Sequence, residues 1–156
     1  PVGAYGGKKE IMEHISPSGP VYQAGTLSGN PIAMTAGLAM LNYINDHPDI
    51  YQQLEEITSY IVNGIRDNLD KMGKNFTINH IGSMFSLFFT ENPVFDFNSA
   101  KASDTRQFGR YFNAMLENGI YLAPSQFESL FVSTSIDKYL ANKIIDANLK
   151  SLKVID

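Results

Sequence analysis

Ile50-Tyr51-Gln52-Gln53-Leu54-Glu55-Glu56-Ile57-Thr58-Ser59-Tyr60-Ile61-Val62-Asn63-Gly64-Ile65-Arg66-Asp67-Asn68-Leu69 is the stretch that decides the fold. Ile50, Leu54, Ile57, Ile61, Ile65 and Leu69 recur every three or four residues. That period places side chains on one face of an α-helix. Glu55, Glu56, Arg66 and Asp67 fall largely off the stripe, so the helix is amphipathic. Pro48 suits its first turn and Gly73 its C-terminal cap. An apolar stripe of this length must be covered by other elements. It is therefore expected to be core rather than a binding face.

Working outward toward the C-terminus, two strands are expected, over 76–81 and 84–90, joined tightly at Gly82-Ser83. Residues 91–103, with Pro93, read as a loop. A helix over 104–117 ends before Gly119. Short strands are expected over 120–122 and 130–134, separated by a loop over 123–129, and a last helix over about 137–152. Helix, strands, helix, strands and helix make an α/β chain whose unit over residues 46–156 is of α+β type. Its small sheet is expected to be mostly antiparallel.

Upstream, Pro1-Val2-Gly3-Ala4-Tyr5-Gly6-Gly7 reads as the end of a strand running into a turn, followed by a short helix over 8–15. A loop then leads to Asn30-Pro31. Asn can cap free helix amides, and Pro at the first helical position forfeits no hydrogen bond. The helix over 32–45 is rich in small residues, Ala33, Ala36, Gly37 and Ala39, and is expected to be buried between other elements. A strand end without a partner suggests a piece of something longer, with residues 1–45 as the rim of another domain.

The chain has 156 residues, 44% of them hydrophobic, a net charge of −4 and no cysteine. Scattered charge of that sign argues against nucleic acid, which needs clustered Lys or Arg. No apolar run approaches a bilayer-spanning length, and no membrane association is expected. The absence of cysteine excludes disulfides, zinc–thiolate sites and thiol nucleophiles, and the cytoplasm is the expected location. His14, His47 and His80 stand apart, without the spacing of a metal site, so no metal is expected. Gly6-Gly7-Lys8-Lys9 lacks phosphate-loop spacing and reads as a turn before a solvated helix.

Tyr22-Gln23-Ala24-Gly25-Thr26-Leu27-Ser28-Gly29-Asn30-Pro31 concentrates glycine, hydroxyl and amide groups just before a helix. Backbone N–H groups and a Thr hydroxyl can hold a phosphate. A capped loop with no ligand would have the same composition, and the residues alone leave both readings open.

With the segment from Pro1 to Gly7, this loop resembles the class-III aminotransferases, which depend on pyridoxal 5'-phosphate (PLP). Ile81-Gly82-Ser83-Met84-Phe85, Leu87-Phe88-Phe89-Thr90 and Tyr121-Leu122-Ala123-Pro124-Ser125-Gln126-Phe127-Glu128 narrow the resemblance to the glutamate-1-semialdehyde 2,1-aminomutase family. The resemblance covers nearly the whole chain. It implies the C-terminal part of a fold-type I PLP-dependent transferase. Residues 1–45 would be a remnant of the PLP-binding large domain with its linking helix, and 46–156 the small domain. The implied activity is conversion of glutamate-1-semialdehyde to 5-aminolevulinate, in tetrapyrrole (porphyrin) biosynthesis, by a homodimer.

In that family the lysine that binds PLP lies in a Lys-x-x-Gly-Gly-Gly-x-Pro motif, and Pro1 matches its last residue. The lysine is thus expected just upstream of Pro1. Lys8 and Lys9 lie on the wrong side, so the chain is expected to hold no catalytic residue and to be inactive alone. The resemblance gives Gly25 and Thr26 the phosphate of the partner subunit's PLP, reached across the dimer interface, and places Tyr22 near the substrate. Glu128 matches an acidic residue where many related aminotransferases carry an arginine for the substrate carboxylate. A glutamate there attracts an amino group instead. The sequence departs from the family at Ile136-Asp137, near where a His often stands. Two other readings are an ω-aminotransferase acting between two substrates and a non-catalytic association domain.

Overall fold

The computed structural model describes residues 2–155. Two compact units divide the chain, Pro1–Pro48 and Asp49–Asp156.

In the first unit, residues 2–8 form no regular structure, so the expected strand end is absent there. A strand needs a backbone partner, and among the described residues none pairs with this segment. Pro1 lies outside the described residues. Helix α1 spans only Lys9–Met12, shorter than expected. The chain then folds back: Ser16 N–H donates to Val21 O at 2.8 Å, and Val21 N–H to His14 O at 2.9 Å. Those bonds use backbone groups that a longer helix would need.

Helix α2, Pro31–Asp46, starts as the sequence indicates. Asn30 Oδ1 accepts from Ile32 N at 3.0 Å and Ala33 N at 3.1 Å, and Pro31 stands in the first turn. Its expected burial is not met. Ala33 is its one buried residue, whereas Ile32 is 80% and Leu38 61% exposed. Within its own unit α2 is met by the loop before it and by the chain near Val2, close enough that a Cβ on Gly37 would lie 2.8 Å from Val2 Cγ1. The small residues permit that approach on one side and leave the others uncovered.

The second unit is built on α3, Ile50–Lys71. β1 (Thr77–Ile81) and β2 (Met84–Phe88) follow, then α4 (Phe97–Lys101), α5 (Thr105–Glu117), β3 (Leu130–Phe131) and α6 (Lys138–Leu152). The sheet has the order β1-β2-β3 and is antiparallel throughout. Ile81 pairs with Met84 across the two-residue turn Gly82-Ser83. Gly82 has φ 54°, a left-handed value that a side chain would oppose.

The central strand is buried on both faces, every residue from Phe85 to Phe89. Phe85, Leu87 and Phe89 point into the main core with Ile61, Ile65, Leu69, Tyr111 and Met115. Phe88 packs on the other face with Val94 and Ala100. That second layer explains α4, which the sequence reading gave as loop. Asp96 accepts from Ser99 N–H at 2.8 Å while Asp96 N–H donates to Ser99 Oγ at 3.0 Å. This reciprocal capping box starts a short helix despite Pro93 nearby. Asn79 Nδ2 donates to Val94 O at 2.8 Å and ties the segment to β1.

Two other expectations need correction. No strand forms over 120–122, because Ile120 N–H is used by Met115 O at 2.9 Å in closing α5. β3 has two residues rather than five. Past it, Val132 N–H donates to Ser83 O, and Ile136 N–H turns back to Ser133 O. α3 begins at Ile50 rather than Pro48. Its stripe forms the core only in its C-terminal part. Ile61, Ile65 and Leu69 are buried, Ile57 packs beside them, and Ile50 and Leu54 are half-buried.

α3 and α6 cross closely at Gly64, where a Cβ would collide with Ile145. Beside the crossing, Asn68 Nδ2 donates to Ile145 O at 2.8 Å and to Asn148 Oδ1 at 3.0 Å. Asn148 Nδ2 in turn donates to Tyr111 OH at 2.8 Å. A buried amide left without partners costs about 1–3 kcal/mol, so this chain of bonds fixes three helices together.

Two outcomes follow from this packing. Ile61 is 0% exposed, so Ile61→Ala is expected to cost about 2–5 kcal/mol in urea unfolding. Leu54→Ala, at a half-buried site, is expected to cost clearly less; equal losses would mean that the core extends along the whole stripe. The phenol of Tyr111 is pushed up to about 12, chiefly by burial and against the opposing bond from Asn148, whereas a free tyrosine ionises near 10. The folded state therefore favours the neutral phenol. Its contribution is complete below about pH 10 and is lost as pH rises toward about 12. Unfolding measured across that window should show the loss, and Tyr111→Phe should remove this part of the pH dependence.

Candidate functional site

The loop before α2 is shaped by its own hydrogen bonds. Ser28 N–H donates to Gly25 O and Asn30 N–H to Leu27 O, both at 3.0 Å, and Gly29 takes φ 73°. A Cβ on Gly25 would stand 3.1 Å from Ser28 Oγ, tighter than ordinary contact. A cleft beside this turn is lined by Gly3, Ala4, Gly25 and Ser28. Glycine at position 25 keeps the backbone approachable from that cleft.

The donors follow from what is already used. Pro31 has no N–H, Asn30 Oδ1 takes those of Ile32 and Ala33, and Asn30 O accepts from Met34 N–H. The N-terminus of α2 therefore keeps no spare amide in its first turn. The N–H groups of Gly25, Thr26 and Leu27, and the Thr26 hydroxyl, have no partner among the described residues. Uncommitted N–H groups, a hydroxyl and a glycine are a donor set that fits a phosphate. From 14 to 45 there is no Asp, Glu, Lys or Arg at all, so an anion there would meet dipoles rather than full charges. Tyr22 stands on the same loop, 82% exposed.

Glu128 belongs to the second unit. Ser125 organises its turn: Ser125 O accepts from Glu128 N–H at 3.1 Å, and Ser125 Oγ from Phe127 N–H at 3.2 Å. The Glu128 side chain is exposed and makes no ion pair among the described residues. It lies at the rim of a small apolar hollow lined by Phe85, Leu87, Tyr111, Leu122 and Gln126. Thus Tyr22, Gly25 and Thr26 come together on one loop, and Glu128 stands in the other unit.

Sequence reasoning missed Gln126. It is 4% exposed, and its Nε2 donates to Leu87 O at 2.8 Å. A polar residue inside a loop carries no periodic signal. The clue was its setting in Leu122-Ala123-Pro124-Ser125-Gln126-Phe127, where apolar neighbours press a loop against the core.

The fold of the described residues is similar to that of parts of solved transaminases. Over 96% of its length the chain superposes on an ω-transaminase from Sphaerobacter thermophilus, with a TM-score of 0.82 and 24% identity, covering 34% of that chain. A β-phenylalanine aminotransferase from Variovorax paradoxus gives a TM-score of 0.73 at 21% identity, over 92% of this chain and 33% of that one. At these identities the likeness establishes the fold alone.

Residues 1–148 match the model of the class-III aminotransferases, and the chain belongs to that family. Among curated relatives it is similar to glutamate-1-semialdehyde 2,1-aminomutase of Cytophaga hutchinsonii, 59% identical over 155 residues, 99% of this chain and 36% of the relative. The enzyme of the same name from Chloroherpeton thalassium is 54% identical over 154 residues, 99% of this chain and 35% of its own length. The chain spans about a third of the length of the curated relatives it matches.

Proposed function

We propose that the chain is the C-terminal part of a PLP-dependent aminomutase, an isomerase that converts glutamate-1-semialdehyde to 5-aminolevulinate for tetrapyrrole synthesis. The observation that carries this reading is the 59% identity to such an enzyme along 99% of the chain. The complete enzyme is proposed to be a cytoplasmic homodimer.

The cofactor, when bound, would supply the electron sink and, in its pyridoxamine form, the amino group. The chain's own residues have simpler tasks. Thr26 donates its hydroxyl and N–H to the phosphate of the partner subunit's cofactor, and Gly25 leaves room for that approach. Glu128 holds a substrate amino group by charge, and Tyr22 borders the substrate. A carboxylate at position 128 would repel the second carboxylate of a dicarboxylic amino donor, which favours moving the amine within one molecule. The lysine that binds PLP is assigned to a segment outside this chain. Lys9 is exposed and pairs with Glu13 at 3.6 Å, a surface ion pair.

The reaction class is tested by supplying the complete enzyme with glutamate-1-semialdehyde and no amino acceptor. Full turnover to 5-aminolevulinate is expected, unchanged by added pyruvate or 2-oxoglutarate. A rate that requires either acceptor would favour the ω-aminotransferase reading instead.

The phosphate clamp is tested by Thr26→Val, which keeps the shape and removes the hydroxyl. A hydrogen bond to a charged acceptor contributes roughly 1.5–3 kcal/mol, so PLP affinity measured by absorbance titration should fall about 10- to 150-fold. In mixed dimers of a Thr26→Val subunit with a subunit lacking the PLP-binding lysine, one site carries both lesions and the other neither. Activity of about half of wild type is then expected, since each site uses one residue from each subunit. Mixed dimers as inactive as the lysine-deficient homodimer would place the clamp within its own subunit.

A further inference from the structure

We propose that Gln126 is the positioning residue for Glu128, acting as a side-chain substitute for a missing rung of the sheet. This inference rests on the reading of Glu128 as the group that holds the substrate amine.

The ladder between β2 and β3 pairs Met84 with Phe131 and Phe85 with Leu130. Continued in register, it would set Ser86 against Ser129 and Leu87 against Glu128. Backbone pairing stops before that point. Ser86 Oγ donates to Ser129 Oγ at 3.4 Å, Glu128 N–H turns to Ser125 O, and Leu87 O takes its hydrogen from Gln126 Nε2 at 2.8 Å. The side chain thus meets the need of a buried strand carbonyl while the backbone of 125–128 turns away from the sheet. The turn that Ser125 closes, with Glu128 N–H on its carbonyl, places Glu128 outward at the rim.

Two physical points single out Gln126 from ordinary packing. A carbonyl can only accept, so the amide must face Leu87 with its nitrogen. Its oxygen is then left buried without a partner among the described residues, which is unfavourable. An apolar side chain would fill this apolar hollow but leave the buried Leu87 O without its donor. The amide therefore makes sense as an anchor that fixes the direction of the Ser125–Glu128 turn. If Glu128 paired with Leu87 in the ladder, its backbone would be fixed by the sheet and its carboxylate would take the direction the pleat dictates. Anchoring by Gln126 frees residue 128 from the pleat and still holds it.

The test is a double-mutant cycle in the complete, PLP-loaded enzyme, using Gln126→Met and Glu128→Gln. The readouts are KM for glutamate-1-semialdehyde and the dissociation constant for 5-aminolevulinate by calorimetry. Glu128→Gln is expected to weaken both by about 10-fold or more, the lower end for a charged hydrogen bond. Gln126→Met should weaken both in the same direction by at least about 5-fold, with bound PLP unchanged. The double variant should lie within about 2-fold of Glu128→Gln alone, because a residue that acts only through Glu128 has nothing left to lose. Gln126→Asn keeps the amide but cannot reach Leu87 O, and should behave like Gln126→Met; it replaces Gln126→Met in the cycle if that variant does not fold. Fully additive losses, or a Gln126 variant that leaves KM and ligand affinity intact, would overturn the link between the two residues while sparing Glu128. A Glu128→Gln enzyme with normal KM and affinity would overturn the reading of Glu128 itself, and this inference with it.

Discussion

The second unit depends on a helix crossing that only the smallest residue permits. Gly64 lets α6 lie so close to α3 that any Cβ would strike Ile145. That closeness brings Asn68 within reach of the Ile145 carbonyl and of Asn148, and Asn148 within reach of the Tyr111 hydroxyl. Packing and polar satisfaction are therefore one constraint: widening the crossing would break bonds that water cannot replace. With α3, α5 and α6 fixed to one another, Phe85, Leu87 and Phe89 find a preformed apolar surface. The central strand is pinned there, and everything positioned by that strand inherits its rigidity.

Position 128 shows how far that inheritance reaches. The strand stops pairing with its neighbour after Phe85, yet Leu87 still dictates where the next loop goes, through one amide. A charged group that meets a ligand, the role proposed for Glu128, must be free of the pleat but not free to wander. The loop of the first unit solves a related problem differently. Asn30 uses up the free amides of the helix start, so the turn itself, Gly25 to Leu27, is left to present donors.

Much of this was legible in the sequence, and the parts that were not share a cause. Long periodic elements such as α3, and punctuated ones such as α2 with Asn30-Pro31 or the hairpin at Gly82-Ser83, declare themselves by local chemistry. Residues whose fate depends on what lies opposite do not. Ile120–Leu122 has strand composition but no strand, because α5 had already taken the Ile120 amide. The stripe predicted Ile50 and Leu54 in the core as firmly as Ile61, but only the C-terminal part of α3 has the sheet against it. The capping box of Asp96 and Ser99 starts α4 within a segment whose Pro93 reads as loop. Of the candidate site, Gly25, Thr26, Tyr22 and Glu128 came from resemblance rather than from spacing. The loop chemistry alone did not decide between a phosphate cradle and a bare capped turn, the commoner of the two. Gln126 was hidden because its role is defined by a carbonyl 39 residues away.

The absence of charged side chains from residue 14 to residue 45 has a consequence of its own. Full charges act over about 10 Å in ordinary buffers and are weakened by dissolved ions. Backbone dipoles act at contact distance, where mobile ions do not intervene. An anion seated on Gly25 and Thr26 as proposed would be held by the second kind of force, with no local steering field to speed its arrival. Ionic strength would then have little in this segment to screen. Recognition would lie in the fit of the turn rather than in the pull of a basic patch.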